Sequence, residues 1–352
     1  MTFSSDSLTP DFPDRAIIQG NDNPQPLAAQ GLDALALLRT KNYPVALAKF
    51  DRYIELYPQD ARGYCYRGIC YQQLQAYSRS LADFNMAIEL TPQEPVFHHA
   101  RGVTYQQLGN FSAAITDYDL VIQAIPLVAK VDDDLEKISD LQGDLLQKIA
   151  VNPLITDAYF RRGMSHTELG DRDLALVDYD RLISLDPSHV RAYIQRSWIY
   201  FRQGKYPPAI RDCEAVKTIY KTSFWANYLL GVINTISKLP ERAIADFTVA
   251  IELSPHYVSA RYHRGIIYYE LGNTTAAIAD FDRARTIQDL SLEKLIERDE
   301  TGFYAEGLAL YYTGQLAAAI TMLEVALSIA NRVGNLSFQS QILLRLQQFK
   351  RE

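Results

Sequence analysis

Cysteine is scarce in this 352-residue chain: Cys65, Cys70 and Cys213 are the only three. Three is odd, and their spacing fits no metal-ligand pattern. Cys65 and Cys70 lie five apart on one expected helix, so a disulfide between them is excluded. Such sparse thiols predict a reducing, cytoplasmic compartment. No run of 18 apolar residues occurs, so nothing reads as membrane-spanning. Residues 1–26 have no apolar core of a secretory signal, and with Pro10, Pro13, Pro24 and Pro26 they read as a disordered tail. Basic residues are outnumbered, 35 against 42, giving a net charge of −7. That balance repels a phosphate backbone, so nucleic acid is not the expected partner.

Catalytic signatures are missing as well. There is no phosphate-cradling glycine loop, no G-x-S-x-G and no H-E-x-x-H. Ser291-Leu292-Glu293-Lys294 has the S-x-x-K form without its partner motifs. His98 and His99 are adjacent on one helix and diverge by about 100°, so they suit a surface or groove better than a shared metal. Asp132, Asp133 and Asp134 lack the glycine and closing glutamate of a calcium loop and read as a solvated acidic face. No enzyme, cofactor or metal site is expected.

What the chain does contain is a repeat. Arg67-Gly68-x-x-Tyr71, Arg101-Gly102-x-x-Tyr105 and Arg264-Gly265-x-x-Tyr268 read alike. Taking the small residue after the arginine as slot 8 gives Ala34, Gly68, Gly102, Gly163, Ser197, Gly231, Gly265 and Gly307. Five of their seven intervals are 34 residues; the others are 61 and 42. Slot 20 is Ala or Ser throughout. Slot 24 is Phe50, Phe84, Tyr118, Tyr179, Cys213, Phe247, Phe281 and Leu323. Slot 32 is proline in five repeats. Slots 4, 8 and 11 and slots 20, 24 and 27 recur at helical spacing, with glycines near slot 15 to turn the chain. Each unit is therefore an antiparallel helix hairpin: small residues at slots 8 and 20 bring the helices close, and proline stops the second helix.

These slots resemble the tetratricopeptide repeat over roughly residues 27–333. The fold implied is all-α, a right-handed superhelical solenoid of antiparallel hairpins. Three repeats are expected at 27–126, a helical insertion at 127–155, four repeats at 156–289, a short insertion at 290–299 and an eighth repeat at 300–333. A capping helix over 334–352, with Leu336, Leu343, Leu346 and Phe349 as its apolar stripe, would hide the last open face.

Two further patterns bear on packing and binding. Slots 7 and 23 face each other across a hairpin turning near slot 15. They pair Arg67 with Asp83, Arg101 with Asp117, Arg162 with Asp178, Arg196 with Asp212 and Arg264 with Asp280. Repeat 1 exchanges the signs, Asp33 with Lys49, which argues for contact. In tetratricopeptide proteins the first helices line a concave face and slots 2, 5, 9, 12 and 13 touch ligand. That resemblance implies a partner groove containing Phe160, Trp198, Phe201, Tyr228, Tyr262, Tyr269, Tyr304 and Tyr311, with Arg62, Arg191 and Arg202 adding positive charge. Ordinary packing between neighbouring first helices is the competing reading of those aromatics. Slot 9 is apolar in all eight repeats, unlike the carboxylate clamp that receives chaperone tails. The expected function is a protein or peptide scaffold or assembly adaptor, the alternative a regulatory sensor of a short peptide or small ligand. The motif style looks bacterial; the partner and oligomeric state are not specified.

Overall fold

A small residue facing an aromatic one is the local rule from which each hairpin is built. A Cβ placed on Gly265 would stand 2.5 Å from Cε1 of Phe281, and one on Gly231 would stand 2.7 Å from Cε1 of Phe247. The ring fills the space that a Cβ would take, and the two helices approach closely because nothing intervenes. Slots 20 and 24 are buried in every repeat from the first to the eighth.

The computed structural model describes residues 29–124, 153–290 and 300–351. Among them lie 17 helices and no strand. The tail expected at 1–26 lies outside the described residues, as do the insertion at 127–155 up to residue 152 and that at 290–299 from residue 291. The described residues fall into two compact units, one ending at Pro187 and one beginning at Ser188.

The N-terminal unit holds α1 (Ala29–Arg39), α2 (Tyr43–Leu56), α3 (Ala61–Gln73), α4 (Tyr77–Leu90), α5 (Pro95–Gln107), α6 (Phe111–Ala124), α7 (Pro153–Leu169) and α8 (Arg172–Leu185). The C-terminal unit holds α9 (Val190–Arg202), α10 (Tyr206–Ile219), α11 (Phe224–Ile236), α12 (Pro240–Leu253), α13 (Val258–Glu270), α14 (Thr274–Leu290), α15 (Glu300–Tyr312), α16 (Leu316–Arg332) and α17 (Leu336–Phe349). Consecutive helices pair as hairpins, and the architecture is an all-α repeat solenoid. In the C-terminal unit α17 packs on α16 and also reaches α9. The face that α17 buries is Phe338, Ile342, Leu346 and Phe349. Leu336 is 72 % exposed and Leu343 is exposed too, contrary to the stripe read from the sequence. Two overlapping stripes satisfy helical spacing here, and packing against the neighbours selects the more aromatic one.

Every hairpin turns through a left-handed residue at slot 15. Glycine occupies it at 109, 170, 204, 272 and 314, but Lys41, Gln75 and Lys238 hold φ of 60°, 58° and 58°. The geometry is fixed by paired backbone bonds, as in Gln75 N–H to Gln72 O and Ala76 N–H to Tyr71 O. A side chain in this region costs about 1–2 kcal/mol, partly offset by the flexibility glycine adds to the unfolded chain. Lys238→Gly is therefore expected to stabilise by about 0.5–1 kcal/mol in urea unfolding. A loss of stability would mean that the lysine side chain contributes contacts outweighing its strain.

The arginine–aspartate pairs all form. Arg67, Arg101, Arg196 and Arg264 each donate Nε and Nη2 to the two carboxylate oxygens of Asp83, Asp117, Asp212 and Asp280 at 2.6–2.9 Å. Arg162 does the same to Asp178. Lys49 reaches Asp33 at 3.5 Å, on the surface. The third arm of the fork adds what the hairpin rule alone did not show. Nη1 of Arg67, Arg101, Arg162 and Arg264 donates to Asp51, Asn85, Asp119 and Thr248, all at slot 25 of the preceding repeat. One guanidinium thus staples its own hairpin and the one before it, which its planar donor geometry permits. Repeat 6, without the arginine, satisfies Asp246 through Asn234 Nδ2 at 2.7 Å.

Candidate functional site

The first helices of the C-terminal unit carry most of the expected groove, and their inner side chains are largely engaged with one another. Trp198, Phe201, Tyr228 and Tyr262 are buried. Trp198 meets Phe201 edge-on at 5.5 Å and lies 6.3 Å from Tyr228. Tyr228 Oη and Thr301 Oγ1 share a hydrogen bond of 2.7 Å. In the N-terminal unit Phe160 is also buried, against Tyr179 at 6.1 Å.

Arg202 is only 8 % exposed, and its fork meets Glu300, whose side chain is 0 % exposed. Nε donates to Oε1 at 3.1 Å and Nη2 to Oε2 at 3.3 Å, and Asn335 Nδ2 adds a third bond to Oε1 at 3.3 Å. Trp198 lies under the guanidinium at 5.7 Å. Burial pushes the Glu300 carboxyl up, but the charge and hydrogen bonds of Arg202, with those of Asn335 and its own backbone N–H, hold it below the usual range. Repeat 5 is thereby tied to repeat 8 and to the start of α17. Nothing in the sequence pointed to Glu300. It is slot 1 of its repeat, a position without a family signature, and its partner lies 98 residues away. Asn335 is the N-cap of α17, accepting from Phe338 N–H; its bond to Glu300 was not legible either.

Towards the C-terminal ends of α13 and α15 the aromatics reach solvent. Tyr269 is 37 % exposed and stacks on Tyr312 at 4.2 Å and 17°. Tyr312 leans on Tyr311 at 5.6 Å, and Tyr311 stacks on Phe349 at 4.0 Å. Tyr304, half-buried, meets Phe338 edge-on at 5.0 Å. Burial raises the Tyr304 and Tyr312 hydroxyls, partly opposed by Arg345, so these two phenols stay neutral hydrogen-bonding groups at physiological pH. Tyr312 stands at slot 13, one of the ligand slots, but was not among the expected groove residues.

The remaining positions divide. Arg62 is half-buried and already committed: its Nε and Nη2 bind the two oxygens of Asp60, the N-cap of α3, at 2.9 and 2.7 Å. Arg191 is half-buried on α9. His98 and His99 are buried rather than on a surface. His98 Nε2 meets Pro92 O of the preceding loop at 2.9 Å, and His99 Nε2 meets Asp157 of α7 at 2.7 Å, bridging α5 and α7. Burial pushes the Cys70 and Cys213 thiols up to about 12, which leaves them unreactive at neutral pH. Among the described residues no group of acids, histidines or cysteines is arranged to hold a metal, and no helix is long and apolar enough to cross a membrane.

Stacked helix hairpins with a conserved slot pattern define a helical-repeat class of protein. The tetratricopeptide repeat pattern matches residues 16–95, 97–126, 152–223 and 226–290. The chain belongs to the tetratricopeptide-repeat family. It is 27 % identical over 150 residues to human Tetratricopeptide repeat protein 6, covering 42 % of this chain and 28 % of that one. Protein SGT1 homolog of rice (Oryza sativa subsp. japonica) is 33 % identical over 81 residues, 23 % of this chain and 21 % of that one. The chain thus spans less than a third of either relative. A tetratricopeptide repeat protein from Parabacteroides merdae shares the fold with a TM-score of 0.56 at 15 % identity, over 81 % of this chain and 99 % of that one. A chain of the APC/C hetero-tetramer Cut9–Hcn1 shares it with a TM-score of 0.50 at 16 % identity, over 88 % and 55 %. Tetratricopeptide-repeat proteins generally mediate protein–protein interaction and complex assembly.

Proposed function

We propose that this protein is a non-catalytic scaffold or assembly adaptor whose partner segment docks on the half-exposed aromatic ladder of Tyr269, Tyr312, Tyr311 and Tyr304. The observation that carries the reading is the Tyr269–Tyr312 stack: two large rings are held rigid at 4.2 Å while Tyr269 keeps 37 % of its surface open. Pre-ordered aromatics offer large contact area at low entropic cost, which is why they recur as binding anchors. Trp198, Phe201, Tyr228 and Tyr262, being buried, then act as core rather than as contact surface. A cytoplasmic setting and a bacterial source accompany the reading.

The test is co-purification from cells with tagged wild type and with Tyr269→Ala/Tyr312→Ala, both confirmed folded by circular dichroism. A partner captured by wild type and reduced at least tenfold in the variant is the expected result, since hot-spot truncations cost about 2 kcal/mol or more. Equal capture by both would remove the ladder as the docking surface.

A further inference from the structure

Helix α17 gives only one of its faces to the rest of the C-terminal unit. Phe338, Ile342, Leu346 and Phe349 are buried there, and Phe349 holds the stack on Tyr311. The opposite face presents Leu336, Ser340, Leu343, Leu344 and Gln347, spaced by three or four residues and all exposed. Among the described residues Leu336 and Leu344, at 72 % and 67 %, are the most exposed large apolar side chains. Leucines scattered singly over a surface are ordinary, but three on one stripe mark a contact face.

The chemistry of the stripe selects its occupant. Arg345 is the one charged residue of α17, and it lies about 140° around the helix from Ser340. Lys350 and Arg351 follow the C-terminal end, and Lys350 is held by Glu324 at 2.8 Å. A charged partner helix or an anionic membrane surface would need basic residues along the stripe, and it has none. What the stripe does match is itself. Leu336, Ser340 and Leu344 stand four apart, a small residue between two leucines. A two-fold axis through Ser340 lays Leu336 of each protomer on Leu344 of the other, with the two serines at the crossing, where the helices come closest. Ser340 Oγ already donates to Leu336 O at 3.4 Å, so covering it strands no hydroxyl. Antiparallel pairing also sets the helix dipoles head to tail and keeps the two Arg345 side chains about 15 Å apart along the axis, whereas parallel pairing would align each with its own copy.

We propose that the chain forms a symmetric dimer through α17, two copies pairing antiparallel about Ser340. A helix of 14 residues is about 21 Å long, so the contact covers about 1,000 Å² or less, the low end for a specific interface. Dimerisation is accordingly expected at micromolar concentration rather than below it. Phe349 lies about 180° around α17 from Ser340, so this pairing neither covers nor requires the aromatic ladder, and the dimer presents two ladders.

Sedimentation velocity of the full chain from about 1 to about 100 µM tests it. Wild type moves from the 39.9 kDa monomer towards twice that mass as concentration rises. Leu344→Glu weakens the dimer at least tenfold, because it places a carboxylate in the apolar contact, and its circular dichroism is unchanged, because Leu344 is exposed in the monomer. A cross-link reads the geometry. Ser340→Cys joins two chains under mild oxidation, whereas Gln347→Cys, about 21 Å along the axis from its own copy, does not. Cys65, Cys70 and Cys213 are buried and stay out of the reaction. A wild type that remains monomeric throughout, a Leu344→Glu variant that dimerises as readily as wild type, or equal linkage through Gln347→Cys and Ser340→Cys would each overturn the proposal.

Discussion

Glu300→Ala is expected to destabilise the C-terminal unit by about 3–5 kcal/mol, because it leaves the Arg202 guanidinium buried and unpaired. Among the described residues Glu300 is the acid that Arg202 meets, and Asn335 loses an acceptor in the same step. Removing both charges together, as Arg202→Met/Glu300→Leu, should cost far less, since a buried pair often exchanges for apolar contact near neutrality. The two tryptophans, Trp198 and Trp225, both belong to this unit, so fluorescence-monitored urea unfolding reports on it directly. A cost below about 1 kcal/mol would mean that water reaches Arg202 freely. The pH dependence has a fixed sign. The Glu300 carboxyl is held below its unfolded value, so its contribution is complete above the unfolded pKa of about 4.3 and is lost as pH falls through the folded one. Wild type should therefore lose stability on acidification more steeply than the double variant, and a parallel decline would refute the pairing.

Arg101→Ala is expected to have the second-largest effect, again about 3–5 kcal/mol, because Asp117 is 1 % exposed. Its remaining neighbour is His98, whose Nδ1 lies 3.4 Å from Oδ1. A double-mutant cycle with Asp117→Ala should return a coupling energy of at least about 1 kcal/mol; zero coupling would make the bridge incidental. His98 offers an internal check. Asp117 raises its pKa above the ordinary value, so its contribution is full below about pH 6.5 and disappears as pH rises through the raised value. In Arg101→Ala the His98 imidazolium is, among the described residues, the close cation left for Asp117. The variant's deficit should therefore widen between pH 6 and 8.

The hairpins and their internal charge pairs were legible because both are short-range. A period of 34 residues brings slot 8 onto slot 24 and slot 7 onto slot 23 within one unit, where helical geometry leaves a single arrangement. The slot 25 acceptors, Asp51, Asn85, Asp119 and Thr248, were harder to read: their chemistry varies and their partner sits in the next repeat. The candidate binding face was the least legible. Family slots located Tyr228, Tyr262 and Tyr269 alike, yet Tyr228 is sealed by Thr301 while Tyr269 stays open on Tyr312.

Sequence alone determined what each helix pairs with, because neighbours in a repeat are neighbours in space and their small and aromatic slots fit only one way. Only the tertiary structure decided which side chains of the inner faces remain available. That depends on contacts such as Arg202 with Glu300 and Phe349 with Tyr311, made between residues dozens of positions apart. No local pattern encodes them, since the degree to which successive hairpins curve together is the sum of many small packing angles rather than the property of any one repeat.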